Sequence, residues 1–292
     1  MMTKTPQEQL AEVSAWWTTD IIDIQPGEIA LRGYPIEELI GNVSFPDMVY
    51  LLLRGELPER SQAELLEAAL VASVDHGPQA PAIAISRMAV TCGLPDNGAM
   101  ASAINVLDDI HGGAGQQCME LYREVAAEAG EDDPAKAADA VVQRRREAGT
   151  RYFPGFGHRF HPVDPRTPRL FALLDAAGKA GVISGRFIRI GRAIEAALGK
   201  HRARPVPMNI DGVTAVVYSE LGFEPELGRG IFILSRALGI LAHAWEETRQ
   251  GGRLKGPMPR DIPYRYRGEP RRAVPDRRPD PDRSPDPDRR RK

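Results

Sequence analysis

The stretch that organises this chain is Pro154-Gly155-Phe156-Gly157-His158-Arg159-Phe160-His161-Pro162-Val163-Asp164-Pro165-Arg166. Two glycines flank Phe156, so the backbone there bends freely and can approach a ligand closely. His158 comes next and titrates near neutral pH, and Arg166 adds the planar cation that usually binds a carboxylate or phosphate. A glycine hinge, a proton carrier and an anion-binding arginine so close together indicate a site for a small anion. A surface loop with a capping arginine is the alternative for this stretch taken alone.

The composition is that of a soluble globular protein, with enough residues for one large domain or two. The 292 residues are 42% hydrophobic and 27% charged, with a net charge of −2. This balance indicates neither a nucleic-acid partner nor a membrane partner. Cys92 and Cys118 form no disulfide framework and no metal-ligand pattern, and their apolar helical context predicts two buried thiols. Residues 1–12 are polar and no apolar run has the length of a membrane span, so we expect a cytoplasmic protein.

Hydrophobic periodicity predicts an almost wholly α-helical chain with one small β-hairpin. The hairpin comprises residues 19–24 and 28–31 on either side of a Pro-Gly turn. Ser44 ahead of Pro46 is typical of a helix start, and apolar residues recur at three- and four-residue spacing after Ser61. The predicted helices cover about residues 35–41, 44–55, 61–74, 80–92, 98–108, 116–128, 135–148, 166–180, 184–199, 211–221 and 225–248.

The last segment, residues 268–292, differs in composition from the rest of the chain. It carries nine Lys and Arg against six Asp and Glu, and it repeats Pro-Asp-Pro-Asp-Arg at 279–283 and 285–289. So few apolar residues cannot offset the entropy of ordering, which predicts a disordered tail. The mixed charges favour simple solvation over nucleic-acid binding. A helical scaffold that uses this tail on a partner is a competing reading, tested by deleting the tail.

Several loops share one signature, a titratable residue beside glycine at a helix junction. They are Asp75-His76-Gly77, His111-Gly112-Gly113, Gly157-His158 and Asn209-Ile210-Asp211-Gly212. Each is a weak signal alone, because a histidine or aspartate at a helix start is more often a cap or a packed side chain.

In this order, these motifs resemble those of the citrate synthase family. The family has a histidine in His-Gly-Gly-Ala, a histidine in Gly-Phe-Gly-His followed by Asp-Pro-Arg, and an aspartate in Asn-Val-Asp. The corresponding residues here are His111, His158 with Arg166, and Asp211. The segments 31–40, 52–58 and 231–243 match the family as well, so the resemblance covers about residues 17–267.

The resemblance implies an all-α, citrate synthase-like fold in which a smaller helical domain is inserted into a larger one. The large domain would comprise residues 15–114 and 216–267, the inserted domain residues 115–215, with a polar arm at 1–14 and the tail at 268–292. It also implies closure between the domains and a homodimer or higher homo-oligomer.

The resemblance also implies roles for particular side chains, with a coenzyme A (CoA) thioester as substrate and no permanently bound cofactor. The chemistry is a Claisen-type step that joins or splits acetyl-CoA and oxaloacetate. His111 would stabilise the enolate, His158 would exchange a proton with the hydroxyl group, and Asp211 would exchange a proton with the enolate carbon. The implied substrate-binding residues are His76, Arg166 and Arg236, and the implied CoA-contacting backbone is Phe153, Pro154, Gly155, Phe156 and Gly157. A structural hydrogen bond is an equal alternative for His76.

Within the family, the pattern favours citryl-CoA lyase. Synthases usually carry His-Ala-Asp-His where this chain has Ser73-Val74-Asp75-His76, and Asp75-His76-Gly77-Pro78 resembles the citryl-CoA lyase module of ATP citrate lyase. Synthases are also longer, and Asp108-Asp109-Ile110 replaces their Gly-Pro-Leu. Citrate synthase itself, a related condensing enzyme for another acyl-CoA or 2-oxo acid, and a non-catalytic relative that binds CoA esters are the alternatives.

One departure concerns substrate binding. The family often places an Arg-Pro near its carboxyl end, where this chain has Gly256 or Met258. Arg253 and Arg260 are candidate substitutes, and neither is assigned.

Overall fold

The computed structural model describes residues 5–158, 161–200, 205–256, 259 and 261–274. The chain is mostly helical, which confirms the predicted fold class. The helices in the described residues are α1 (Pro6–Trp16), α2 (Ile36–Leu39), α3 (Phe45–Arg54), α4 (Arg60–Ser73), α5 (Pro81–Thr91), α6 (Asp96–Ile104), α7 (Ala114–Ala129), α8 (Ala135–Glu147), α9 (Arg166–Lys179), α10 (Arg186–Gly199), α11 (Ile210–Glu220) and α12 (Pro225–Gln250).

The predicted hairpin is confirmed and carries one more short strand. Strands β1 (Ile22–Gln25) and β2 (Glu28–Leu31) pair antiparallel with Ile24 opposite Ile29, and β3 (Tyr34–Pro35) adds to β2. Strand β3 was not predicted, because two residues are too short for an alternating pattern to appear.

Local sequence explains where the helices begin and end. Ser44 caps α3, since its hydroxyl accepts the amide of Asp47 while the Asp47 carboxylate accepts the Ser44 amide, and Gly55 closes the helix in the left-handed conformation. Helix α6 spans Asp96–Ile104 and therefore ends before residue 108, where the periodicity placed its end. The residues that follow are then free to form the loop that carries His111.

Two hydrophobic clusters form the core of residues 5–255. The larger one unites α3, α4, α7 to α11 and Ile231 of α12, and the smaller one unites α5, α6 and Ile240 of α12. Cys118 is fully buried in the larger cluster. Cys92, predicted to be buried, is exposed, because α5 ends at Thr91 and Cys92 forms its C-cap.

Helix α12 is the longest helix described. It is long and apolar enough by composition to cross a membrane, and in this structure it packs against α4, α5, α6 and α7. A separate unit begins at Gly256, and its described residues are exposed. The predicted tail falls mainly on residues 275–292, which lie outside the described residues. The inserted-domain arrangement stays a prediction.

Candidate active site

The predicted catalytic and substrate-binding side chains converge on one region. Arg236 of α12 influences the pKa values of Asp211, His76 and His111, and Arg166 influences those of Asp211 and His76. The ring centroids of His76 and His158 are 6.1 Å apart. Residues spread over more than 150 positions of sequence therefore share one electrostatic environment.

The start of α11 positions Asp211. Asn209 caps this helix: its Oδ1 accepts the amide of Asp211 at 3.0 Å and that of Gly212 at 3.3 Å. Burial raises the pKa of the Asp211 carboxyl, against the opposing effect of Arg236 and Arg166. A half-buried carboxyl that binds its proton more tightly than usual is suited to donating that proton to a substrate.

The glycine loop and α11 are held together by close backbone contact. A Cβ on Gly212 would lie 2.3 Å from the Gly155 carbonyl oxygen, and a Cβ on Gly155 would lie 2.5 Å from Cys118 Sγ. Asn209 also bonds to the glycine loop. Its backbone amide donates to the Gly155 carbonyl at 3.0 Å, and its side-chain Nδ2 donates to the Gly157 carbonyl at 2.7 Å. These glycines therefore permit an approach that fixes Asp211 relative to His158.

Asp164 positions both Arg166 and α11. Its Oδ1 accepts Arg166 Nε at 2.9 Å, and its Oδ2 accepts Arg166 Nη2 at 2.8 Å and the Ile210 amide at 3.1 Å. Burial would raise the pKa of Asp164, but these hydrogen bonds, chiefly those from Arg166, lower it to about 2. Arg166 also donates to the Ala72 carbonyl at 3.3 Å, which connects α9 to the end of α4.

Arg236 is almost fully buried, with 5% of its surface exposed. Its Nε donates to the Ser73 carbonyl at 3.1 Å, and its guanidinium lies 4.8 Å from the Phe232 ring centroid. Phe232 also touches the His111 loop, because a Cβ on Gly112 would lie 3.3 Å from that ring. Ser73, where synthases usually have a histidine, turns its hydroxyl back to the Ala69 carbonyl at 3.0 Å.

A hydrogen bond to the His158 ring determines which of its nitrogens carries the proton. The His161 amide donates to His158 Nδ1 at 3.0 Å, so a neutral His158 ring carries its proton on Nε2. Burial is the main cause that lowers the pKa of His158, and burial together with Arg236 lowers that of His76. His161, interpreted as a surface residue, is exposed.

Contacts hold both the ring of His111 and the loop that precedes it. Its Nε2 accepts the Ala82 amide in the first turn of α5 at 3.1 Å, so a neutral ring carries its proton on Nδ1. Burial, followed by Arg236, lowers the pKa of His111, which favours this neutral hydrogen-bond donor. The loop before it is fastened to α12, since Asp108 and Asp109 both pair with Arg229.

A cavity of about 410 Å³ lies beside the glycine loop. Three of the five predicted CoA-contacting residues, Phe153, Phe156 and Gly157, line it with His158, while Pro154 and Gly155 do not. The complete lining is Arg151, Tyr152, Phe153, Phe156, Gly157, His158, Leu198 and Val206.

Sequence reasoning missed residues that act through a neighbour. No role was predicted for Asp164 or Asn209, although an aspartate two residues before an arginine and an asparagine before a helix start are recognisable signals. Of the two candidate substitutes for the late arginine, Arg260 lies outside the described residues and Arg253 is exposed.

The described chain is mostly helical and brings Asp211, the three histidines and the two arginines into one region. The chain belongs to the citrate synthase family: the family model for the citrate synthase C-terminal domain matches residues 11–70 and 59–258.

Similar proteins include a synthase and a lyase. The citrate synthase of Haloferax volcanii is 33% identical over 222 residues, which is 75% of this chain and 54% of that protein. The citryl-CoA lyase structure of Hydrogenobacter thermophilus is 29% identical with a TM-score of 0.79, covering 89% of this chain and 97% of that one. ATP citrate lyase of Methanosaeta concilii, solved with (3S)-citryl-CoA, shares the fold with a TM-score of 0.71 at 19% identity, covering 92% of this chain and 45% of that one. The chain thus spans about half the length of the curated synthase it matches.

Proposed function

We propose that this protein cleaves citryl-CoA to acetyl-CoA and oxaloacetate. The observation that carries the proposal is the half-buried Asp211 carboxyl, with its raised pKa, at the capped start of α11 and in one electrostatic environment with Arg236, Arg166 and the histidines. Such a carboxyl can protonate an enolate carbon, and the arginines can hold the carboxylates of the substrate. The likeness to a citryl-CoA lyase over nearly the whole length of that chain supports the direction.

In the proposed reaction, His158 Nε2 takes the proton of the citryl hydroxyl group. The alkoxide electrons form the carbonyl of oxaloacetate, the carbon–carbon bond breaks, and its electron pair becomes the enolate of acetyl-CoA. His111 donates a hydrogen bond from Nδ1 to the enolate oxygen, the role for which its Ala82 contact prepares it. The Asp211 carboxylic acid then protonates the enolate carbon, and the protons of Asp211 and His158 are restored by exchange with solvent.

Cleavage in this direction requires a change at His158. The His161 amide favours the proton on Nε2, whereas a base at Nε2 needs that position free. We infer that substrate binding breaks the His161 contact and moves the ring proton to Nδ1.

Citrate synthase activity is the second candidate, and the hydrogen bond from the His161 amide to His158 Nδ1 favours it. In the condensing direction, His158 Nε2–H can donate to the carbonyl oxygen of oxaloacetate without rearrangement. The 33% identity with a curated citrate synthase also supports this direction. Ser73 argues against it, because its side chain turns into α4 where a synthase presents a second substrate-binding histidine.

We also propose that the CoA arm lies in the cavity beside Phe153–Gly157 and that the active protein is a homodimer. Helix α12 supports the dimer, since Leu234, Leu238, Leu241 and Trp245 form one exposed apolar face. In such a dimer these side chains would pack against a second copy.

The test is an assay of the purified protein in both directions. Oxaloacetate formed from citryl-CoA is followed with malate dehydrogenase and NADH, and CoA released from acetyl-CoA plus oxaloacetate is followed with a thiol reagent. Rapid citryl-CoA cleavage with little CoA release supports the lyase. Robust CoA release makes the protein a citrate synthase. No reaction in either direction from folded protein overturns both and leaves another acyl-CoA or a CoA-ester-binding role.

A further inference from the structure

One face of α12 holds the segment that precedes His76 at three successive points. Arg236 Nε donates to the Ser73 carbonyl at 3.1 Å. Gly239 lies so close to the next residue that a Cβ there would be 2.1 Å from the Val74 carbonyl oxygen. His243 Nε2 lies 3.3 Å from Asp75 Oδ1. These contacts are three to four residues apart on the helix, so they follow a single face.

In the contact between His243 and Asp75, His243 is the hydrogen-bond donor. Arg87 Nη1 lies 3.1 Å from His243 Nδ1, and because a guanidinium only donates, Nδ1 is the acceptor. The ring proton is therefore on Nε2, where it points to the Asp75 carboxylate. Arg87 is itself fixed, since its side chain is only 10% exposed and pairs with Glu247 at 2.7 Å and Glu246 at 2.7 Å.

Asp75 in turn shapes the backbone around His76. Its Oδ2 accepts the Gly77 amide at 3.1 Å, and the neighbouring His76 amide helps to lower the pKa of this carboxyl. Burial would raise the pKa of Asp75, but these amides, followed by His243, leave it lowered. The Asp75 carboxylate is thus held by the Gly77 amide and by His243.

We propose that His243 is a positioning residue that orients His76 toward the substrate through Asp75. The inference deepens the proposed function and rests on it, because it assigns His76 a direct contact with the substrate. His243 donates to Asp75, Asp75 holds the amide of Gly77 directly after His76, and the His76 ring is thereby set near His158. The arrangement corresponds to the carboxylate–histidine pairs by which proteins commonly orient a functional side chain.

The test compares two substitutions of His243. In His243→Gln the side-chain amide can still donate to Asp75, whereas His243→Leu removes the donor. We expect the KM for the substrate that the protein turns over to rise about tenfold in His243→Leu with kcat within about twofold, because His76 binds ground state and transition state alike. His243→Gln should stay within about threefold of wild type. A purely structural role would instead lower the active fraction, and so kcat, at unchanged KM, and that result overturns the proposal.

Two further variants sharpen the test. Asp75→Asn should reproduce the KM effect, and the double variant with His243→Leu should be no worse than the more affected single variant, since both act on one contact. Additive effects contradict the proposal. Lys255→Met is the control: it removes the Glu247 partner at 2.6 Å on the far side of the network and should leave KM unchanged.

A measurement without turnover separates this inference from the proposed function. In NMR spectra of protein with ¹⁵N-labelled histidine, His243→Leu should shift the ring signals of His76, and Lys255→Met should not. Unchanged His76 signals overturn the positioning role. Absence of turnover in wild type together with shifted His76 signals overturns the proposed function and upholds the placement of His76 by His243.

Discussion

At the scale of single residues, the chemistry depends on titratable groups whose pKa values are moved by their surroundings. Burial raises the pKa of Asp211 and lowers those of His111 and His158. Each shift disfavours the charged form, so the surroundings favour the protonated carboxyl and the neutral imidazoles. These are the protonation states that an enolate reaction without strong acid or base requires.

Replacing Asp211 with asparagine should separate activity from stability. We expect Asp211→Asn to lower kcat about a thousandfold, because the amide cannot transfer a proton. Its melting temperature should equal or exceed that of wild type. The pKa of Asp211 is raised on folding, so the stability it contributes is lost as the pH rises through that pKa, and a neutral amide avoids burying the charge. Steady-state kinetics and calorimetry at neutral pH give both values; a variant with near-normal kcat would exclude Asp211 as the acid.

Asp164 should make stability depend on pH in the opposite sense. Its pKa falls from 3.8 to about 2 on folding, so its stabilising effect is complete above 3.8 and disappears as the pH falls toward 2. We expect Asp164→Asn to lower the free energy of unfolding on the order of 2 kcal/mol at neutral pH. Urea unfolding of both proteins across this range should show the difference shrinking with acid; a constant difference would mean that the charge of Asp164 is not the cause.

At the scale of elements, the site is built from helix starts that converge through loops. Helix α9 begins with Arg166 and α11 begins one residue before Asp211, and Asp164 contacts both starts. Gly155 and Gly212 allow the glycine loop to touch α11 directly. Steric fit between backbones thus sets the position of the acid relative to His158.

Gly212→Ala tests this contact. The added methyl would meet the Gly155 carbonyl oxygen at 2.3 Å and Met208 Cγ at 2.4 Å, so we expect a loss of roughly 1–3 kcal/mol in the free energy of unfolding and a lower kcat. Gly230→Ala is the matched control, because it lies in a helix with nothing within 4 Å of the new Cβ. That control should be neutral or stabilised by about 0.5–1 kcal/mol. Equal behaviour of the two variants in denaturation would show that the close approach is unimportant.

At the scale of the whole molecule, two faces of α12 have different surroundings. One face carries Arg236 and His243 toward the site, and another presents leucines and Trp245 to solvent in the single chain. An exposed apolar face on a long helix is typical of a surface that a second copy covers.

Leu238→Arg should disrupt the proposed dimer. Leu238 is 61% exposed, so the single chain should fold with it, whereas two buried arginines at an interface would repel each other. Light scattering coupled to size-exclusion chromatography should show a monomer for Leu238→Arg and a dimer for the wild type. The control Val71→Arg, at a 64% exposed position on α4, should not change the mass. A dimeric Leu238→Arg protein would place the interface elsewhere.

Much of this protein follows from local sequence. Capping residues such as Ser44 and Asn209, glycines after helices and apolar spacing determine where the helices lie, because these effects act within a few residues. The errors have local causes too: Cys92 is exposed because its helix ends one residue before it, and β3 is too short for an alternating pattern.

The amino-acid sequence by itself determined the helical fold, the family motifs and the identity of the candidate acid, histidines and arginines. Only the tertiary structure decided which nitrogen of His111 and His158 carries the proton, because that depends on the Ala82 and His161 amides. It also decided that His243 meets Asp75 across more than 160 positions of sequence. Hydrogen bonds and pKa shifts of this kind depend on distance and burial, and sequence spacing specifies neither for residues on different helices.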